Sequence, residues 1–183
     1  TRSGDIDPAV LFHLARVGGY TIDQLDELLN RKSGMLGLSG YTDMRDVHDA
    51  VAAGDERVKT ALDVYYHRIK GYVGKYYAEL GHVDVITFTA GIGENDDIVR
   101  LNALAGLERL GIQVDPERNA GRIKEPKVIS PDGAEVTDAA LELVDVLFAT
   151  PRRNARGREQ APAGARDDLG GVVVDGLAGL QPQ

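Results

Sequence analysis

At 183 residues the chain has the size of one ordinary domain or two small ones. Hydrophobic residues make up 43% and charged residues 27%, a soluble globular composition, and no apolar run approaches the ~18–20 residues of a membrane span. Cysteine is absent, which excludes disulfide scaffolds, thiolate catalysis and Cys-ligated metal sites. The net charge of -8 argues against nucleic-acid binding, whose affinity comes mostly from neutralising phosphates. We expect a cytoplasmic domain without membrane or nucleic-acid partners.

The first residues are unusual for a chain terminus. The sequence begins Thr1-Arg2-Ser3-Gly4-Asp5-Ile6-Asp7-Pro8, without an initiator Met. Termini are normally frayed and carry little information, yet these residues look specialised. We expect either that processing created this end or that the chain is a piece of a longer protein.

The first eighty residues are predicted to be mainly helical. Capping signals and apolar spacing predict helices that run from Asp7-Pro8 to Gly18, from the capping box Thr21-Ile22-Asp23-Gln24, from Asp43 to Ala53 and from Asp55 to Leu80. Ser33 to Gly40 contains three glycines in eight residues and is predicted to be a loop. Gly71 and Gly74 weaken the longest helix, which suggests close packing against a neighbour.

The second part of the chain adds strands. Val83 to Thr89 is a β-branched run bounded by glycines, which predicts a buried strand. The later predicted elements are a tight turn at Ala90–Asn95, a helix from about Asp96 to Leu110, a strand or connector at Ile112–Val114, and strands at Lys127–Ile129 and Leu141–Phe148, with Ala139–Leu143 helical as the alternative. Helices with strands between them are typical of the α/β class.

The character of the sequence changes after Thr150. Residues 151–183 contain five arginines and no Lys, Tyr, Ile, Phe or Met, and little apart from Leu169 and Val172–Val174 could bury a face. We predict a domain over 1–148 and a divergent, mostly disordered tail over 149–183.

The strongest local signal is the predicted strand followed by Gly91-Ile92-Gly93-Glu94-Asn95 and a helix. Two glycines permit positive φ angles and close backbone approach, and the helix start offers free N–H groups to an anion or a nucleotide. The alternative is an ordinary turn with Asn95 or Asp96 as the helix cap. The stretch lacks the third Gly of a dinucleotide fingerprint and the Lys of a P-loop.

Two further charged groups allow both a functional and a structural interpretation. Arg2 lies beside Asp5 and Asp7 and could hold phosphate bidentately, or it could be an exposed terminal Arg next to a helix cap. Thr42-Asp43-Met44-Arg45-Asp46 could present Asp43 and Arg45 to a nucleotide, or it could be a capped helix with a solvated charge cluster. The four histidines have no metal-ligand spacing, and we assign no metal ligand in this chain.

Taken together and in this order, these segments resemble the acetate kinase (acetokinase) family. The matching segments are Thr1–Pro8, Asp43–Asp46, Ala61–Val64 with Arg68–Lys70, Phe88–Asn95, and Leu110–Ile112 with Asp115-Pro116. The resemblance covers residue 1 to about residue 135. It implies the C-terminal lobe of a two-lobed, ribonuclease-H-like kinase of the actin-like ATPase superfamily, α/β and helix-rich with a mixed sheet.

The resemblance also implies an activity and its residues. The family catalyses reversible phosphoryl transfer between ATP and acetate, giving acetyl phosphate and ADP, with Mg²⁺. By this resemblance Arg2 stabilises the transferring phosphoryl group, while Asp43, Met44 and Arg45 contact the nucleotide. Gly91, Ile92, Gly93, Glu94 and Asn95 match the loop that wraps the adenosine end of ATP, so the predicted ligand there is a nucleotide, though not necessarily its phosphates.

The chain also departs from the family pattern. The family is roughly twice this length, and its first half, with a metal-binding Asn, an acyl-pocket Arg and a catalytic Asp and His, is missing. Ala149-Thr150-Pro151-Arg152-Arg153-Asn154 stands where the family has a Pro-Thr segment with two acidic residues that helps to hold Mg²⁺. A frameshift near codon 150 is our hypothesis for the Arg-, Ala- and Gly-rich tail.

The expected function is therefore that of an acetate kinase fragment, which alone binds adenine nucleotide weakly and transfers phosphate negligibly. Propionate or butyrate kinase is the nearby alternative, because the missing half largely sets the acyl-chain preference in the family. A non-catalytic dimerising module is the alternative of a different class. The family forms homodimers through this lobe, and the tyrosines between Tyr65 and Tyr77 could supply the contact.

Overall fold

The computed structural model describes residues 1–123, 125–140 and 171–175, the last five by their backbone alone. Its elements in chain order are α1 Ala9–Val17, α2 Ile22–Arg31, α3 Gly34–Ser39, α4 Met44–Ala52, α5 Glu56–Leu80, β1 Val85–Thr89, α6 Ala90–Asn95, α7 Asp97–Leu104, a 3₁₀ turn Glu108–Leu110, α8 Pro116–Asn119, β2 Lys127–Val128, β3 Thr137–Ala140 and β4 Gly171–Asp175. The chain divides into two compact units, Thr1–Arg68 and Ile69–Gln183.

The first unit is helical, as predicted, and its helix starts are set by local capping. Thr21 Oγ1 accepts a hydrogen bond from the Gln24 backbone N–H, and the Gln24 side chain accepts one from the Thr21 backbone N–H. Asp7 Oδ1 accepts from the Ala9 backbone N–H at 2.8 Å at the start of α1. These bonds satisfy N–H groups that have no partner within the first turn of a helix, so the two predicted starts are confirmed.

The predicted loop over Ser33–Gly40 is wrong, because residues 34–39 form α3. Its glycines make room for neighbouring backbone: a Cβ on Gly34 would lie 2.3 Å from the carbonyl oxygen of Arg2, and one on Gly37 would lie 2.8 Å from that of Lys32. Met35 packs against the buried cluster of Val47, Val58 and Leu62. Burial of this side chain offsets the low helix propensity of the glycines, which sequence periodicity does not reveal.

The long helix is confirmed as α5, with 25 residues. The expected close packing at its glycines is absent among the described residues: apart from the nearby backbone of α5 itself, no described atom lies within 4 Å of the Cβ position of Gly71 or Gly74. Tyr72 and Tyr76, one turn apart on this helix, stack with ring centroids 6.2 Å apart. Neither α5 nor any other helix among the described residues is apolar enough to cross a membrane.

The second unit contains a four-stranded mixed sheet with strand order β2-β3-β1-β4. β1 is the predicted buried strand, and it pairs in parallel with β3 and with β4. β2 lies within the predicted strand Lys127–Ile129 and pairs antiparallel with β3. Ala139 and Ala140 belong to β3, so the helical alternative is wrong for these two residues.

β4 lies within the segment predicted to be a mostly disordered tail. Its residues 171–175 pair with Val85–Thr89 of β1. The strand therefore includes Val172–Val174, the apolar run that the sequence analysis singled out. The predicted strand at Leu141–Phe148, the motif at 149–154 and the rest of the predicted tail lie outside the described residues.

The helix predicted from Asp96 to Leu110 ends earlier than expected. α7 stops at Leu104, since Ala105 leaves the helical conformation and Gly106 takes φ +87. A glycine in this left-handed conformation is a common helix stop, so the helix ends at Leu104 and not at Leu110. Ile98 and Leu101 on this helix are exposed, whereas Arg100 is completely buried.

Candidate functional site

The segment Ala90–Asn95 follows the buried strand β1, as predicted, but it is a short helix and not a tight turn. The backbone changes direction at Ala90, which has φ +60 after the extended residue Thr89. Gly91 and Gly93 are not among the glycines with positive φ. The expectation that these two glycines provide positive φ angles is therefore wrong, because Ala90 makes the turn.

The two glycines of α6 have different surroundings. Gly93 is buried, and a Cβ there would lie 3.1 Å from the carbonyl carbon of Phe88. Gly91 is exposed, and apart from the nearby backbone of α6 itself no described atom lies within 4 Å of the position of its Cβ. The close backbone approach expected of a glycine is thus made by Gly93 onto the end of β1, while Gly91 leaves open space at the surface.

The end of α6 is held by local hydrogen bonds. Asn95 Nδ2 donates to the carbonyl oxygen of Gly91 at 2.6 Å. The next residue, Asp96, caps α7, and its Oδ1 accepts from the Val99 backbone N–H at 2.9 Å. The helix-cap alternative is thus present at Asp96, one residue beyond the segment assigned to the nucleotide.

A residue that the sequence analysis did not select, Arg100, lies behind this segment. It is fully buried on α7, and its guanidinium donates to the carbonyl oxygens of Gly93 at 2.8 Å and Glu94 at 3.1 Å. Burial lowers the pKa of Arg100, and the carboxylates of Asp97 and Asp96 oppose this effect. The only hint of this burial in the sequence is that Arg100 follows Val99 on an apolar face. The same sequence would fit an Arg with its side chain in solvent, so the hint does not distinguish the two cases.

Asp43 and Arg45 lie at the start of α4. Asp43 caps the helix, since its Oδ1 accepts from the Arg45 backbone N–H at 2.9 Å, and its carboxylate also accepts two hydrogen bonds from the Arg45 guanidinium. These bonds to Arg45 lower the pKa of Asp43 to about 2. The Arg45 side chain is 87% exposed, which agrees with the capped helix and solvated charge pair.

Met44, between these two residues, faces inward. It is partly buried and packs against the cluster of Val47, Val58 and Leu62. Its side chain therefore ties the start of α4 to this cluster.

Arg2 is anchored by its backbone neighbours while its side chain is exposed. The Thr1 carbonyl accepts from the Ser33 N–H at 2.8 Å, and the Ser3 N–H donates to the Leu29 carbonyl at 2.7 Å. Among the residues that the structure describes, no side chain forms an ion pair with the Arg2 guanidinium. Asp5, in contrast, pairs with Arg68, with 3.6 Å between Asp5 Oδ2 and Arg68 Nη2.

The candidate residues are divided between the two units. Arg2 and Asp43–Arg45 belong to the first unit, and Gly91–Asn95 to the second. Within the described residues no group of three or more His, Asp or Glu side chains could hold a metal ion.

Comparison with known proteins gives one consistent family. The family model described as the acetokinase family matches residues 1–143. The acetate kinase of Streptomyces avermitilis is 54% identical over 155 residues, which cover 81% of this chain and 38% of that protein.

Solved structures agree with this result. The crystal structure of Porphyromonas gingivalis acetate kinase matches with a TM-score of 0.74 and 42% identity, covering 78% of this chain and 36% of that one. A propionate kinase from Francisella tularensis matches with a TM-score of 0.71 and 31% identity, covering the same shares of the two chains, 78% and 36%. The expected fold class, a helix-rich α/β lobe with a mixed sheet, is confirmed.

The chain therefore spans somewhat more than a third of the length of the relatives it matches. Its matched region includes all the candidate residues named above. By its family model and its sequence identity to curated relatives, this chain belongs to the acetokinase family.

Proposed function

We propose that this chain is the nucleotide-binding part of an acetate kinase, which transfers a phosphoryl group reversibly between ATP and acetate. The observation that carries the proposal is the arrangement at the end of β1. There Gly93 packs closely against the Phe88 backbone, while Gly91 is exposed with open space where a side chain would stand. A glycine backbone, which has no side chain, lets a flat group such as the adenine ring of adenosine approach closely. In this proposal Gly91, Ile92, Gly93, Glu94 and Asn95 surround the adenosine end of ATP.

Arg2 is assigned to the transferring phosphoryl group. Phosphoryl transfer needs mainly positioning and charge stabilisation from the protein, and the planar guanidinium can hold phosphate oxygens with two parallel hydrogen bonds. The exposed Arg2 side chain has no ion-pair partner among the described residues, so a ligand would not have to displace one. The flanking backbone is fixed by the hydrogen bonds of Thr1 and Ser3.

Asp43, Met44 and Arg45 are assigned to the nucleotide as well. The Asp43 carboxylate holds the exposed Arg45 guanidinium in a defined orientation. An oriented guanidinium can stack on a base or donate to ribose or phosphate oxygens. Met44 anchors the helix start in the apolar cluster and contributes its backbone.

Family membership also implies Mg²⁺, but the described residues do not form a site for it. The Asp43 carboxylate already has a partner, because it accepts hydrogen bonds from Arg45. We therefore assign no step and no ligand of Mg²⁺ to this part of the chain.

Acetate is proposed as the acyl substrate because the curated acetate kinase of Streptomyces avermitilis is 54% identical to this chain. Among the solved structures the propionate kinase, at 31%, falls between two acetate kinases at 42% and 28%. Propionate or butyrate remains the alternative acceptor. A cytoplasmic location, where ATP and acyl phosphates are available, belongs to the same proposal.

Calorimetric titration of the purified chain tests the nucleotide assignment. Because Gly91–Asn95 are assigned to adenosine, ATP and ADP should both give weak but measurable binding, and inorganic triphosphate, which lacks adenosine, should bind much less. A phosphotransfer assay with acetate, ATP and Mg²⁺ should give negligible turnover. No heat with either nucleotide would contradict the nucleotide site, and family-like turnover by this chain would contradict the assignment of a partial site.

A homodimer is the second part of the proposal, and a non-catalytic dimerising module is the alternative function. The open surface at Gly71 and Gly74 and the stacked pair Tyr72 and Tyr76 favour α5 as the contact. Light scattering combined with the nucleotide titration separates these cases. A dimer that binds no nucleotide would favour the module, and a monomer would contradict the dimer.

A further inference from the structure

Arg100 satisfies all of its hydrogen-bond donors inside the protein. Its Nη1 donates to the carbonyls of Gly93 and Glu94, its Nε donates to Asn119 Oδ1 at 2.7 Å, and its Nη2 donates to the carbonyls of Asn119 at 2.7 Å and Gly121 at 3.0 Å. A guanidinium has five N–H donors in a fixed planar fork, and all five are used here. Every acceptor is an uncharged oxygen, and four of the five are backbone carbonyls.

Two of these acceptors are carbonyls at the end of α6. The last carbonyls of a helix have no partner within the helix, and a six-residue helix is not stable by itself. Arg100 supplies partners for Gly93 and Glu94, which are two of the five residues assigned to adenosine. The positions of these residues therefore depend on a side chain seven positions away from Gly93.

The segment from Asn119 to Ile123 completes the support. The Ile123 N–H donates to the carbonyl of Glu94 at 3.0 Å, and Asn119 Nδ2 donates to the carbonyl of Asp97 at 2.8 Å. The Gly121 N–H donates to Asp97 Oδ2 at 2.7 Å. Arg100, from α7, thus joins the end of α6 to the end of α8 and the residue Gly121 after it, while Asn119 and Gly121 bind Asp97 at the start of α7.

A lysine could not reproduce this arrangement. Its ammonium is a compact point charge with three donors, whereas the acceptors around Arg100 are spread around a planar fork. Burying a charged group without matching hydrogen bonds is costly, so this site is built for guanidinium.

We infer that Arg100 is a positioning residue for nucleotide binding, which holds the end of α6 against the 119–123 segment and so presents Gly91–Asn95 to adenosine. The inference rests on the proposed function. Arg100 itself is buried behind α6 and is not assigned a contact with ATP.

The test compares Arg100→Lys with Val99→Ala, a change at the neighbouring residue, which is 2% exposed on the same helix. Calorimetry measures ATP affinity, and hydrogen exchange measures the Ile123 amide, which is bonded to Glu94, and the Thr137 amide, which is bonded to Asp84 at 2.9 Å. Arg100→Lys should weaken ATP binding by about tenfold or more and speed exchange at Ile123 by about tenfold, with little change at Thr137. Val99→Ala should lower the unfolding temperature without either local effect.

If Arg100→Lys does not fold, Asn119→Ala takes its place, because it removes the acceptor of Nε and the donor to Asp97 while leaving the charge buried among four carbonyls. The same local pattern is expected.

Each other outcome is decisive. Equal loss of affinity in Val99→Ala, or faster exchange at Ile123 and Thr137 alike, would show a role in overall stability alone and overturn the inference. Unchanged ATP affinity in the Arg100 and Asn119 variants would overturn it too. If the unmodified chain binds no ATP, the proposed function fails, and the exchange at Ile123 by itself decides whether Arg100 positions α6.

Discussion

Arg100 holds both the side chain and the main chain of Asn119, with Nε 2.7 Å from Asn119 Oδ1 and Nη2 2.7 Å from the Asn119 carbonyl oxygen. The two residues are 19 positions apart, and the same guanidinium also reaches the end of α6. The segment assigned to adenosine is therefore supported from inside the protein by a charge that no solvent reaches. Three further predictions concern this segment and the sheet behind it.

The first prediction separates the two glycines of α6. Gly93→Ala should destabilise the fold by roughly 1–3 kcal/mol, since its Cβ would overpack against the Phe88 backbone at 3.1 Å. Gly91→Ala should not destabilise the fold, because the surrounding space is open and Ala is the better helix former. Urea unfolding measures both changes.

The same pair also tests the proposed function. If adenosine approaches the Gly91 backbone, Gly91→Ala should weaken ATP binding in calorimetry while leaving the urea midpoint unchanged or raised. A Gly91→Ala chain that binds ATP as tightly as the unmodified chain would contradict the contact assigned to Gly91.

The second prediction concerns Ala90, whose φ of +60 is unfavourable for a residue with a Cβ. A left-handed conformation costs a non-glycine residue about 1–2 kcal/mol, and a glycine at this position avoids that cost. Part of the gain is lost, because glycine also makes the unfolded chain more flexible and so stabilises it. Ala90→Gly should therefore leave the free energy of unfolding unchanged or raise it by up to about 1 kcal/mol. Urea unfolding is the measurement.

Ala78→Gly is the matched control, because Ala78 is exposed within α5. There the same substitution should destabilise by about 0.5–1 kcal/mol, the usual cost of glycine in a helix. Equal destabilisation at both positions would show that Ala90 is not strained in the folded protein.

The third prediction concerns Asp138, which lies on β3 opposite Ile86 of β1 and is fully buried. Neither carboxylate oxygen makes a well-formed hydrogen bond within the described part of the chain. Burial raises the pKa of Asp138 to about 7, and the nearby Gln113 backbone amide offsets this only in part. The folded protein therefore retains a proton that the unfolded chain releases near pH 4.

The sign of the pH dependence follows from this difference. Below about pH 4 the carboxyl group is neutral in both states, and between about pH 4 and pH 7 only the folded state stays protonated. Asp138 should therefore make the free energy of unfolding fall as pH rises through this window. Above about pH 7 the free energy of unfolding should no longer change because of Asp138, after a total decrease on the order of 4 kcal/mol.

Asp138→Asn, which cannot ionise, should remove this slope and be more stable than the unmodified chain at pH 8. Asp49→Asn, at an exposed position on α4, is the control and should retain the slope. Urea unfolding at pH 5 and pH 8 provides the comparison. A slope that survives in Asp138→Asn would assign the pH dependence to other groups.

Much of the local structure could be predicted because its causes are local. The caps at Thr21, Asp43 and Asp96 each use a side chain two or three residues from the backbone group that it satisfies. The spacing of apolar residues predicted α5, and the β-branched run predicted β1. The motifs that indicated the acetokinase family are likewise short runs of sequence, and the family match covers them.

The wrong predictions have causes of two kinds, distant packing partners and local backbone conformation. Met35 is buried by residues of α4 and α5, and this turns a glycine-rich stretch into α3. The turn at Ala90 places the positive φ on an alanine next to two glycines that do not need it.

The sequence alone determined which segments become helices and strands over most of the described chain, which family the chain belongs to, and which residues are candidates for the nucleotide. Tertiary structure decided how those candidates are held: Gly93 against Phe88, Met44 in the apolar cluster and Arg100 behind α6. The physical reason is the sequence separation between the groups that interact. Hydrogen bonds that cap a helix span two to four residues and can be read from adjacent letters, whereas a buried guanidinium finds its acceptors only after folding has brought residues 93 and 119 to the same place.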